Sequence, residues 1–142
     1  MVPRRTVAVL FAGAGLAACS SVAPPPPPAP APPPAPSIIA LYQRPAERAL
    51  IDGIRLYEEA AFDRSEAALR GALREGLASR GDRAIAFKYL AFITCAFGRP
   101  AECEENFTRA FAADPDFSLN DKEIGHPIWG PVYRRVAAAQ AQ

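Results

Sequence analysis

The sequence predicts an all-α fold. Three observations carry that reading. Apolar residues from Pro45 onward recur at three-to-four spacing, no stretch sustains a period-two alternation, and Gly or Pro punctuates the periodic runs. Pro45 suits a first helical turn, and Leu50, Ile54, Tyr57 and Ala61 place an amphipathic helix from there to about Ala60. Phe62-Asp63 reads as a tight corner. Ala68, Leu69, Ala72 and Leu73 mark a second helix over about Arg64 to Glu75, and Gly76 to Gly81 is a loop. Asp82 is the expected cap of a third helix whose apolar positions are Ile85, Phe87, Leu90, Ala91, Phe92, Ile93 and Phe97, ended by Gly98. Pro100 opens a fourth helix with Cys103, Phe107, Ala110 and Phe111, and Asp114-Pro115 stops it. Asn120 and Glu123 are spaced as a capping box for a short helix. Trp129 to Ala139 reads as a last helix with Trp129, Val132, Tyr133 and Val136 on one side, suited to cover the preceding hairpin.

The first part of the chain has a different character. Arg4 and Arg5 precede the apolar run Thr6 to Ala18, which has the length of a secretory h-region and is too short to span a bilayer. The string Leu16-Ala17-Ala18-Cys19-Ser20 resembles a bacterial lipobox. That resemblance implies cleavage before Cys19 and acylation of its thiol, so that the membrane is met through an N-terminal lipid. Ser20 rather than Asp after the Cys implies sorting to the outer membrane, with the domain on the periplasmic face. Pro24 to Pro36 is thirteen residues of Pro and Ala. It has few backbone donors and no side chains to bury, and as polyproline II it spans roughly 40 Å at about 3.1 Å per residue. The expected organisation is a signal peptide over 1–18, a lipidated Cys and tether over 19–44, and a helical domain over 45–142. Ile38, Ile39, Leu41 and Tyr42 form an apolar cluster expected to lean on that domain.

The chain of 142 residues carries a formal charge of +1, and loss of Arg4 and Arg5 leaves −1. Such balance argues against nucleic acid, which requires a basic face. Cys95 and Cys103 remain after Cys19 is assigned to lipid. One ends a helix and the other lies in the first turns of the next, a spacing that can bring their Cα atoms within the roughly 4.4–6.8 Å of a disulfide. Two buried thiols are the alternative, and two ligands are too few for a metal site.

The two hairpins align with each other at an offset of 38 residues. Gly53 falls on Ala91, Leu56 on Thr94, Phe62 on Pro100, Ser65 on Cys103, Leu69 on Phe107 and Ala72 on Ala110. This pattern of small and large positions resembles the tetratricopeptide repeat (TPR), with Pro115 at the place of its terminal Pro and a departure at Asp52, where Leu is usual. Two repeats need something to close their open end. The stretch Lys88 to Tyr133 further resembles the small TPR lipoproteins associated with type VI secretion (the TssQ-like family). The residues that carry this are Leu90 to Ile93, Cys95, Gly98-Arg99, Cys103, Phe107, Ala110, Asp114 to Phe117 and the string Gly125 to Pro131. The resemblance implies a non-catalytic accessory that meets protein partners, components of the secretion apparatus among them. A pilotin-type or outer-membrane-assembly TPR lipoprotein is the rival class, and a surface-anchored cell-wall enzyme a more distant one.

Few residues suggest chemistry. His126, the single His, has no nucleophile or ligand marked near it and sits between Gly125 and Pro127 as a turn residue. Trp129 is expected as an anchor of the last helix. No Gly-rich phosphate loop, H-E-x-x-H or G-x-S-x-G string occurs, so no catalytic residue, cofactor, metal or small-molecule substrate is expected. TPR geometry instead points to a partner-binding groove along the first helix of each repeat, which would include Tyr57, Lys88 and Phe92 with Glu47 near its mouth.

Overall fold

The computed structural model describes residues 44–140, and they are all-helical. The signal segment, Cys19, the Pro-rich stretch and the cluster Ile38 to Tyr42 lie outside the described residues. Helices α1 (Pro45–Glu58) and α2 (Phe62–Glu75) form one hairpin, and α3 (Arg80–Ala96) and α4 (Pro100–Ala113) a second. The short α5 (Asp121–Ile124) follows, and α6 (Gly130–Gln140) packs on α4.

The offset of 38 is visible in the packing. Gly53, Leu56, Ser65, Leu69 and Ala72 are buried, and so are Ala91, Thr94, Cys103, Phe107 and Ala110 at the equivalent places. Phe62 and Pro100 each open the second helix of their hairpin. Asp52 is exposed and pairs with Arg55 at 3.6 Å, so its departure from Leu removes nothing from the core. The corners match as well. Ala60 donates to the Tyr57 carbonyl and Ala61 to that of Leu56, while Gly98 donates to Cys95 and Arg99 to Thr94. This is the Schellman closure, whose pivot residue takes a left-handed backbone. Gly98 has φ 68° and Ala60 φ 57°, so the first corner carries a β-carbon where the second carries none.

α3 is apolar on more than one side because two cores use it. Leu90 and Ile93 face Leu50, Leu69 and Ala72 of the first hairpin. Ala91, Phe92 and Cys95 face Cys103 and Phe107 of α4 and Tyr133 and Val136 of α6. Thus α6 covers the open side of the second hairpin as its apolar side predicts. Hairpin α1–α2 closes most tightly at Gly53, where a β-carbon would sit 2.7 Å from Leu69 Cγ. Ser65 Oγ donates to the Gly53 carbonyl at 2.7 Å in the same crossing. Between hairpins, Arg99 grips Glu66 at 2.6 Å, and Arg70 bridges Glu66 and Glu102 at 2.7 and 3.2 Å.

Four local expectations are corrected. Ser79, not Asp82, caps α3, accepting from the Asp82 N–H at 3.3 Å, because the helix starts three residues earlier than that cap implies, at Arg80. α2 begins at Phe62 rather than Arg64, and Ala61 belongs to the corner rather than to the α1 stripe. Ile85 and Phe97, expected on the apolar side of the third helix, are 36% and 55% exposed. Ile85 looks away from both cores, and Phe97 lies past the end of α3.

Candidate functional site

The residues expected to line the groove separate into two groups. Tyr57 near the end of α1 and Lys88 and Phe92 on α3 come together. Glu47 does not: it stands ten residues before Tyr57 on α1, about 15 Å along the axis at 1.5 Å per residue. Its carboxylate pairs with Arg44 at 3.3 Å and is nearly buried.

The convergent group is part of a longer run of rings. Phe97 meets Phe62 edge-on at 5.6 Å, Phe62 meets Tyr57 at 5.6 Å, and Tyr57 meets Tyr89 at 5.0 Å. Tyr89 meets Phe92 at 5.9 Å, Phe92 stacks on Trp129 at 4.3 Å, and His126 stacks on the other side of Trp129. Seven rings therefore run from the hairpin corners across α1 and α3 to the C-terminal segment. Phe92 is 3% exposed, whereas Tyr57, Phe62, Tyr89, Trp129 and His126 are each partly open to solvent. Edge-on and stacked aromatic pairs of this kind are worth about 0.5–1.5 kcal/mol each beyond their buried area, so neighbouring rings in the run support one another.

Glu123 ties the two sides of the groove. Its Oε1 accepts from Lys88 Nζ at 2.6 Å, its Oε2 from the Asn120 N–H at 3.1 Å, and its carbonyl from Trp129 Nε1 at 2.9 Å. The capping box expected at Asn120 and Glu123 is present, and its carboxylate reaches onward to α3. Lys88 Nζ also lies 4.9 Å from the Tyr89 ring centre and 5.7 Å from that of Phe92. The inner part of the groove is thus occupied by the chain's own segment around Glu123 and Trp129. Burial, then the charges of Glu123 and neighbouring groups, raises the Tyr89 phenol above its ordinary value. Burial, then the neighbouring Tyr89 and Glu123, does the same for Tyr57.

Cys95 and Cys103 are joined as a disulfide, with Cα atoms 5.0 Å apart. It staples α3 to α4 two residues before the exposed Phe97. His126 Nδ1 accepts from the Ile128 N–H at 3.3 Å, the turn role its neighbours predict. Among the described residues, no group of three His, Cys, Asp or Glu side chains is placed to hold a metal ion. None of their helices is long and apolar enough to cross a membrane.

The sequence reading missed Tyr89, Phe62, Phe97 and Glu123 as members of this surface. Tyr89 adjoins Lys88 on α3 and was the accessible clue. Glu123 had a sufficient local role as a cap, and nothing in its spacing revealed the ion pair across 35 residues. No protein-family model, curated protein or solved structure matches the chain.

Proposed function

We propose that this chain is a lipid-anchored helical adaptor on the periplasmic face of the outer membrane, one that assembles with other proteins and catalyses nothing. Its place is as an accessory of a type VI secretion apparatus. The observation that carries the adaptor reading is the ring run, in which partly exposed aromatics pack against one another across two stacked hairpins. Aromatic side chains dominate the energetics of protein interfaces because they bury large areas with little loss of side-chain freedom. The order of features along the chain supports the placement: Cys19 in a lipobox-like string, thirteen Pro and Ala residues as a spacer, then the helical domain. The anchor supplies location, the spacer reach, and the rings a docking surface.

The test has two arms. Cells fed an alkyne-bearing palmitate analogue should label the wild-type chain and not Cys19→Ser, and the label should fractionate with the outer membrane. Site-specific photo-crosslinkers at Phe97 and Tyr89 should capture secretion-apparatus proteins, while one at the exposed Glu105 on α4 should not. Absence of label removes the anchor. Capture of pilus or secretin components instead would move the adaptor to the rival class.

A further inference from the structure

A second concavity lies between α2, α3 and α4, away from the ring run, with a volume of about 250 Å³. Its apolar floor includes Leu73 and Phe87, and its walls carry Arg70, Arg74 and Arg109 together with Asn106. No carboxylate lines it. Asn106 is only 6% exposed; its amide nitrogen donates to Thr94 Oγ1 at 3.4 Å, leaving the side chain fixed at the wall.

The three guanidinium groups differ in how they are held. Arg70 is oriented by Glu66 at 2.7 Å and Glu102 at 3.2 Å. Glu66 and Glu102 are themselves shared with Arg99, which reaches them at 2.6 and 3.3 Å. Arg109 is held by Glu105 at 2.6 Å and hangs over the Phe87 ring at 6.0 Å. Arg74 has no ion-pair partner among the described residues. Arg70, Arg99 and Arg109 thus share three carboxylates, and Arg74 leaves one surplus positive charge at the concavity. A guanidinium presents five donors in a plane, so one engaged on a single edge by Glu keeps others to offer.

We propose that this concavity binds a small organic anion: a carboxylate or phosphate head against Arg74 and its neighbours, with a short apolar body over Leu73 and Phe87. The space admits a single ring or a chain of a few carbons, and polar groups that converge around an apolar floor are a feature of small-molecule sites. The head meets charge-assisted hydrogen bonds, which discriminate strongly against a neutral group of the same shape. This inference is independent of the adaptor reading, since it uses other residues on another face.

The test is a titration of isotope-labelled full-length chain, followed by NMR at constant ionic strength, with phenyl phosphate, benzoate and benzyl alcohol. Shift changes should centre on Leu73, Arg74, Phe87, Asn106 and Arg109. Benzyl alcohol should bind weaker by about tenfold or more, the factor expected when a charge-assisted hydrogen bond is lost. Tighter binding of phenyl phosphate than benzoate assigns a phosphate head, and equal or reversed affinity a carboxylate. Arg74→Gln, an exposed position whose change spares the core, should weaken both anions by a similar factor, and Arg55→Gln on α1 should not. Equal affinity for the neutral alcohol, shifts spread over the exposed arginines at large, or unaltered binding by Arg74→Gln would each overturn the proposal.

Discussion

Gly53→Ala and Gly71→Ala should change stability in opposite directions, although each replaces one mid-helix glycine in the same hairpin. In a helix interior, Ala is favoured over Gly by about 0.8–1.0 kcal/mol. At Gly71 nothing opposes that gain, because the nearest atom to a new β-carbon is the flexible end of Arg74 at 3.9 Å. At Gly53 the new carbon would stand 2.7 and 2.8 Å from Leu69 Cγ and Cδ2 and 3.2 Å from the Leu69 backbone nitrogen. Leu69 is fully buried, and the Ser65 hydrogen bond to the Gly53 carbonyl at 2.7 Å restrains the two helices from parting. Overpacking costs about 1–3 kcal/mol, and a clash with a branch point and a backbone atom belongs in the upper half of that range. Net of the propensity gain, Gly53→Ala should lose about 1–2 kcal/mol while Gly71→Ala gains up to about 1 kcal/mol. Urea unfolding followed by far-UV circular dichroism measures both. Thermal midpoints should diverge in the same sense, by about 4–8 °C for each kcal/mol in a domain of this size. If Gly53→Ala is as stabilising as Gly71→Ala, the hairpins do not cross as closely as described and the repeat packing argument fails.

The remaining predictions concern the corners, the staple and the charges. Ala60→Gly should stabilise by about 1 kcal/mol, because Ala60 holds a left-handed φ at the corner where its counterpart is Gly98; Gly98→Ala should destabilise by a similar amount in the same urea assay. Reducing Cys95–Cys103, or replacing both by Ala, should lower stability by about 2–3 kcal/mol on the chain-entropy account of a closed loop with sequence separation 8, and an unchanged urea midpoint would contradict it. Hydrogen bonds from Arg99, ahead of those from Arg70, hold the Glu66 carboxyl below its ordinary range despite partial burial. Its contribution to stability is therefore fully present above the unfolded value near about 4.3 and fades as pH falls toward the lowered one. The stability gap between wild type and Glu66→Gln should accordingly be constant near neutrality and shrink on acidification. Trp129→Ala should free the C-terminal segment, so that hydrogen exchange accelerates in α5 and α6 while α1 and α2 keep their protection; uniform acceleration would mean that the whole domain depends on that ring.

The fold was largely legible because its helices are amphipathic and its repeat is internal. Periodicity marks the buried side of each helix, and the correspondence of Ser65 with Cys103 and Leu69 with Phe107 needs only counting. Short-range signals read equally well: Pro100 at a helix start, Asn120 with Glu123 as a capping box, and two cysteines across a corner. The errors arose where a local signal had two readings. Ser79 and Asp82 are both good caps, and the choice between them depends on where α3 must begin to reach the first hairpin. Phe97 carries the same apolar label as Phe92, yet one ends outside the helix and the other under Trp129.

By itself, the order of residues determined an all-helical domain, its two equivalent hairpins and the covering role of the last helix, because these follow from interactions among near neighbours and from which side of a helix avoids water. Only the tertiary structure decided what fills the space between elements. Glu123 reaching Lys88, the ring run from Phe97 to His126, and the three arginines around Leu73 and Phe87 all join residues remote in the chain. Their meeting depends on the angles at which hairpins stack, and side-chain pattern along one helix carries no record of those angles.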